Sequence, residues 1–239
     1  MTLARLNNLT ASLRTSKLDA VILNPGPALT YLTGLRFHLM ERPVVLFIAP
    51  GQDPLLVLPE LELPKVDLFP YKVQAIAYGE NPSEWENAFR KAAQLLGLDG
   101  KRIGVEPRQL RLLEFSHVKA GAPESEFPDA SDVLSALRLK KDKAEVDAMR
   151  RAVKIAQDAL EATIPLIKIG MTERELSSEL VMQLLKNGSD SEMPFSPIVS
   201  AGPNSANPHA SPTERKLQAG DLLVVDWGAA YDGYISDLT

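Results

Sequence analysis

The most restrictive feature of this 239-residue sequence is the stretch from Ile198 to Thr239, IVSAGPNSANPHASPTERKLQAGDLLVVDWGAAYDGYISDLT. An apolar run, Leu222 to Val225, closes at Asp226, and Asp237 follows eleven residues later, beyond Asp232-Gly233. On one straight strand an odd separation would put the two side chains on opposite faces. A two-residue Asp-Gly turn reverses the chain and changes that parity. It pairs Asp237 with Gly228, two residues from Asp226 and on the same face of a hairpin. The two carboxylates are then diagonal neighbours, about 7–8 Å apart at the backbone. Two carboxylates on one buried face repel unless a proton or a cation lies between them, so the spacing points to a divalent-metal site.

Upstream, strand and helix patterns alternate. Leu3, Leu6, Leu9 and Leu13 mark one face of a first helix. DAVILN predicts a short strand ending at Pro25, and PALTYLTG a brief helix closing at Gly34, where positive φ carries no penalty. PVVLFIAP and LLVLP read as paired strands around Gly51-Gln52-Asp53-Pro54, and VQAIAYG as another strand. SEWENAFRKAAQLLG predicts a helix with a Ser cap that stops at Gly97. RIGVEP is strand-like and RQLRLLEFSHVKA helix-like. This alternation describes an α/β domain with a mixed sheet, expected to span 1–131 and to close in the Pro/Ser/Asp-rich APESEFPDASD.

The second domain, 132–239, opens with a long helix from about Asp132, broken near Arg138. Val146, Met149, Val153, Ala156 and Leu160 recur at helical spacing and are the expected buried stripe. Pro165 and Gly170 end it. Thr172 and Glu175 form a capping box, and Leu176, Leu180 and Leu184 run on to Gly188. Strand and loop are expected beyond.

The composition excludes several function classes. Without cysteine there is no disulfide, thiolate zinc site or thiol nucleophile. A net charge of −5 and the lack of a dense Lys/Arg tract argue against a nucleic-acid binder. The N-terminus reads as an amphipathic helix, no apolar run approaches the roughly 20 residues that cross a bilayer, and a cytoplasmic protein is the default expectation. H-E-x-x-H, G-x-x-x-x-G-K-[ST] and G-x-S-x-G are all absent.

AGPNSANPH followed by GDLLVVDWGAAYDGYISDLT resembles the proline-peptide metallopeptidases of the pita-bread fold, prolidase and Xaa-Pro aminopeptidase. That family shows a Pro-His step, a Gly-Asp before an apolar strand, then D-x-G and G-Y-x-S-D-[IL]-T. The resemblance extends through RLKKDKAEVDAMRRAVKIAQDAL to the YLTG stretch near the N-terminus. It implies a creatinase-like α/β N-terminal domain ahead of a partial α+β pita-bread domain. It implies that Asp226 ligates one divalent ion and Asp237 bridges two, with manganese or cobalt ahead of zinc or iron. It makes His209 a catalytic residue that contacts substrate or stabilises the tetrahedral intermediate without binding metal. Xaa-Pro peptides are the implied substrates and a homodimer the implied assembly. The family's remaining ligands, a histidine and two glutamates, would follow Thr239, so the chain as given is expected to be inactive. The alternatives are a non-catalytic pita-bread module that binds peptides or proteins, and a creatinase-like amidinohydrolase.

Other residues are less informative alone. His38, in LRFHLMERP, reads equally as an exposed loop residue or, through the resemblance, as part of the region that nears a partner's active site. His117 is expected on a polar, solvated helix face. Phe195, in MPFSPIVS, reads as core or as a pocket wall.

Overall fold

A computed structural model describes residues 2–239, which form two compact units, one ending at Lys140 and one running from Lys141 to Thr239. In the first unit the strands are β1 (Ala20–Leu23), β2 (Val45–Ile48), β3 (Leu55–Pro59), β4 (Gln74–Tyr78) and β5 (Ile103–Gly104). They form one sheet in the order β4-β3-β2-β1-β5. The pairs β1–β2 and β2–β3 are antiparallel, while β3–β4 and β1–β5 are parallel, so the sheet is mixed.

The central strands are apolar at every position because both sheet faces are covered. Val21, Leu23, Leu46, Ile48, Leu56 and Leu58 meet helices α1 (Thr2–Thr15), α2 (Pro27–Thr33) and α5 (Ser131–Leu139). The alternate residues Ala20, Ile22, Val45, Phe47, Leu55 and Val57 meet α3 (Pro82–Leu96) and α4 (Leu112–Gly121). Leu6, Leu9 and Leu13 are buried as their spacing predicts, whereas Leu3 is exposed at the start of the stripe. Gly34 (φ 75°) and Gly97 (φ 60°) close their helices in the left-handed conformation.

Three expectations for this unit need correction. The cap of α3 is Asn81, whose side chain accepts from the Ser83 amide, because Pro82 supplies the first helical position. Helix α5 belongs to the first unit: Leu134 is buried in the cluster of Leu6, Leu9 and Leu13, so the division falls after Lys140, not at 131. His117 is half-buried rather than solvated. Gly121 lets α4 approach α3 so closely that a Cβ there would lie 3.0 Å from the Phe89 carbonyl oxygen. The His117 ring therefore stacks on Phe89, with centroids 5.1 Å apart and planes at 19°, and meets Trp85 edge-on at 6.5 Å. Its Nε2 is buried without a hydrogen-bond partner.

The second unit starts with α6 (Lys143–Thr163), capped by a reciprocal Asp142–Glu145 box, and α7 (Glu173–Lys186), capped by the expected Thr172–Glu175 box. Strands β6 (Ile198–Ala201) and β7 (Leu223–Asp226) pair antiparallel, and β8 (Ala230–Tyr231) and β9 (Tyr234–Ile235) form a hairpin. The expected stripe on α6 is displaced. The buried residues are Glu145, Ala148, Ala152, Ile155, Ala156, Ala159 and Thr163, while Val146, Met149 and Val153 line a shallow open groove. Small side chains win this face because the hairpin docks against the helix backbone itself. Trp227 Nε1 donates to the Ala156 carbonyl at 2.9 Å and Ser236 Oγ to the Ala152 carbonyl at 3.2 Å. A larger residue at either alanine would hold those donors away.

Candidate functional site

The hairpin follows the register read from its turn. Asp232 (φ 50°) and Gly233 (φ 81°) both take positive φ, as a type I′ turn requires. Ala230 pairs with Ile235, Tyr231 with Tyr234 and Trp227 with Leu238, a register that sets Asp237 opposite Gly228. Trp227 and Leu238 exchange backbone hydrogen bonds of 3.0 Å in both directions.

This register sorts the side chains by face. Val199, Ala201, Leu223, Val225, Trp227 and Leu238 pack in the two apolar clusters that include residues of α6 and α7. Ile198, opposite Asp226, and Ser200, opposite Val224, alternate with them on the other face. Asp226, Gly228 and Asp237 share that second face. Asp226 Oδ1 is buried with no hydrogen-bond partner, and the Asp237 side chain is exposed. Among the described residues no hydrogen bond or ion pair reaches either carboxylate. Beside them, a Cβ on Gly228 would lie 3.0 Å from Pro194 Cγ and 3.2 Å from Phe195 Cε1. Phe195, half-buried, therefore flanks the carboxylate face.

His209 lies on the loop between β6 and β7, exposed, with its backbone amide donating to Asn207 Oδ1 at 3.1 Å. Its ring bonds to neither aspartate. The residue that organises this loop is Glu173, a fully buried carboxylate in the first turn of α7. It accepts from the Ala201 amide at 2.7 Å, the Thr213 amide at 3.0 Å, Thr213 Oγ1 at 2.6 Å and Asn204 Nδ2 at 3.1 Å. Burial pushes this carboxyl upward, but the donors from Thr213, Ala201 and Asn204 outweigh it and leave the group below the usual glutamate range. Next to it Arg215 grips Asp221 with two hydrogen bonds of 2.7 and 2.9 Å, and this pair holds the Asp221 carboxyl below its ordinary value. Gly202 (φ 52°) passes under the pair, where a Cβ would come within 2.6 Å of both side chains.

Most of the sequence signature is thus scaffolding. Gly202, Asn204, Trp227, Gly228 and Ser236 are committed to packing or internal hydrogen bonds, whereas the functional groups of Asp226, Asp237 and His209 are engaged by none of the described residues. The clamp formed by Glu173 was not anticipated. A glutamate just after a Thr cap reads as ordinary first-turn charge, and only its burial separates it from that role.

The two aspartates fit a divalent cation as far as they go. They offer unpartnered carboxylate oxygens on one face, the donor type that hard divalent ions take. Among the described residues no group of three or more His, Cys, Asp or Glu side chains could hold a metal ion. No described helix is long and apolar enough to cross a membrane.

Comparison with known proteins finds relatives of both units. Residues 5–140 match the creatinase/prolidase N-terminal domain and residues 147–239 match metallopeptidase family M24. An uncharacterized peptidase of Staphylococcus haemolyticus is 28% identical over 99% of this chain and 65% of its own length. A dipeptidase structure from Pyrococcus horikoshii is 34% identical, with a TM-score of 0.86 over 98% of this chain and 63% of that one. A recombinant prolidase from Thermococcus sibiricus is 27% identical, with a TM-score of 0.90 over 99% of this chain and 64% of that one. The chain therefore spans somewhat less than two thirds of the length of such relatives. An α/β unit with a mixed sheet precedes part of a pita-bread domain, and the chain belongs to metallopeptidase family M24.

Proposed function

We propose that this chain is part of an enzyme that uses divalent cations to hydrolyse the peptide bond between a residue and a following proline. The observation that carries the reading is the placement of Asp226 and Asp237 on one face, with Asp226 Oδ1 buried and unsatisfied. A buried acceptor without a donor is costly and is rarely left so without a ligand. In this reading Asp226 and Asp237 hold the cations, manganese or cobalt first, and His209 acts on the substrate. Bound cations would supply hydroxide near neutral pH and polarise the scissile carbonyl.

The protein's own contribution is positioning. The hairpin fixes both carboxylates through α6, and Phe195 limits the space beside them. An imidazole can donate a proton to and accept one from its surroundings, which suits His209 to steadying charge on the reacting carbonyl. Proline matters because its nitrogen carries no hydrogen, so recognition must rest on the shape of the ring. A creatinase-like reaction would leave the orphaned Asp226 oxygen without a use, which counts against that alternative.

The test uses a chain of its relatives' full length that contains this sequence. Manganese- or cobalt-stimulated cleavage of Xaa-Pro peptides, with little cleavage of matched Xaa-Ala peptides, is the expected result. Dipeptides assayed beside longer peptides separate a dipeptidase from an aminopeptidase. Hydrolysis of creatine instead, or indifference to proline, would overturn the reading. His209→Ala should lower turnover far more than metal occupancy, and equal loss of both would remove its proposed role.

A further inference from the structure

The first unit's sheet is closed at one edge and open at the other. At the β5 edge, Arg102 and Val105 pair with Glu126 and Asp129, so a further segment covers that strand. Among the described residues no strand pairs with the outer side of β4. The Gln74 amide donates to the Pro54 carbonyl at 2.8 Å, so by the alternation of a parallel ladder Gln74, Ile76 and Tyr78 bond toward β3. The amides and carbonyls of Ala75 and Ala77 therefore point outward, and none of the described residues takes them. Sheet edges that stay single are commonly blunted by charge or proline, and Val73 to Gly79 contains neither. Beside the strand, a 3-10 helix, Glu60–Leu68, packs on β4 and leaves Leu61, Leu63 and Leu68 exposed.

The charges that flank the strand have opposite signs and equal spacing about its centre. Lys72 lies four residues before Ile76 and Glu80 four after it, and both side chains are exposed. Two β4 strands can pair antiparallel about a twofold axis at Ile76. Ala75 of one copy then faces Ala77 of the other, and the two exchange both backbone hydrogen bonds through the groups that point outward. Ile76 meets its own copy, Gln74 meets Tyr78, and Lys72 meets Glu80 at both ends, all at closely spaced positions on one face. A slip of two residues would set Glu80 against Gln74, or Lys72 against Tyr78, and lose the match of charge.

We propose that the β4 edge docks a second copy of this chain, by antiparallel β4–β4 pairing centred on Ile76. The two five-stranded sheets become one continuous sheet. Main-chain hydrogen bonds supply the attachment, and Lys72 and Glu80 set the register. The pairing involves the first unit alone and is independent of the cation reading.

Sedimentation equilibrium of the 239-residue chain tests this. Wild type should dimerise at micromolar concentration. Lys72→Glu sets glutamate against Glu80 at both ends, and Glu80→Lys sets lysine against Lys72, so each should weaken the dimer about tenfold. Both side chains are exposed, so neither change should disturb the fold. Mixed in equal amounts, the two variants should pair with each other as tightly as wild type does with itself, because opposite charges then meet at both ends. Ala75→Pro removes an outward donor and leaves the β3 ladder intact, so it should abolish pairing with little change in Tm. A monomeric wild type, a dimer indifferent to the charge reversals, or a mixture that does not pair would each overturn the proposal. So would a dimer that survives in folded Ala75→Pro protein.

Discussion

The carbonyl oxygen of Ser236 lies 2.1 Å from the point where a Cβ on Gly228 would begin. That carbonyl turns toward Gly228 because the Ala229 amide is taken by the Ser236 hydroxyl, at 3.0 Å, in place of the backbone oxygen. No side chain fits there without moving the strand that carries Asp237. Gly228→Ala should therefore destabilise the protein by about 1–3 kcal/mol or more, the cost of overpacking a close contact. Denaturant unfolding measures this, and a neutral result would mean that the hairpin has slack.

The buried face of α6 offers a second test. Ala152→Leu should cost about 1–3 kcal/mol and separate Ser236 from its acceptor, since Ala152 is fully buried against the hairpin. Val153→Ser, on the open side of the same helix, should change stability by no more than about 0.5 kcal/mol. The reverse ranking would restore the face first read from the sequence.

Glu173 makes stability depend on acid pH in a defined direction. Its folded carboxyl titrates below the unfolded value, so the stabilisation is fully present above about pH 4.3 and fades as pH falls through the folded value. Glu173→Gln should be less stable at pH 7 by about 1.5–3 kcal/mol, the range for hydrogen bonds to a charged group. The gap between variant and wild type should narrow on acidification. Urea unfolding at pH 7 and pH 3.5 checks both halves.

His117 acts in the opposite part of the chain and with the opposite group type. Burial against Phe89 and Trp85 lowers its pKa, although Glu86 and Glu114 oppose that shift. The unfolded chain then binds the proton first, so stability is full above about pH 6.5 and declines as pH falls below it. His117→Phe, which keeps a ring in the stack, should remove that decline. Parallel slopes for variant and wild type between pH 7 and 5 would show that another group is responsible.

The 239-residue polypeptide by itself should bind Mn2+ weakly and turn over no Xaa-Pro peptide, because two carboxylates leave most of a cation's coordination to water. Calorimetric titration with a peptidase assay on mass-verified protein tests this. Tight uptake of two ions with robust turnover would refute it.

What the sequence reveals and what it hides divide along physical lines. Local rules carried the hairpin, because an Asp-Gly turn dictates its own twist and so the pairing of Asp237 with Gly228. They also carried the glycine stops at 34 and 97 and the capping box at Thr172. The inner face of α6 was hidden because hydrophobicity ranks Val146 and Met149 above alanine, while the docking of Trp227 and Ser236 selects for smallness. The Glu173 clamp was hidden because its partners are as many as forty residues away in the chain. His117 was hidden because its burial depends on the close approach that Gly121 permits.

The two helix carbonyls that receive Trp227 and Ser236 lie one turn apart on α6, and this acts as a check on assembly order. If the hairpin formed one residue out of register, every side chain would change sides. Trp227 and Ser236 could not then both find their acceptors, and Asp226 and Asp237 would be parted by the same slip. The helix thus rejects any hairpin in which the carboxylates are on opposite faces. The two carboxylates are thus placed on one face by the hairpin's docking on the small-residue side of α6, with no ion required to align them.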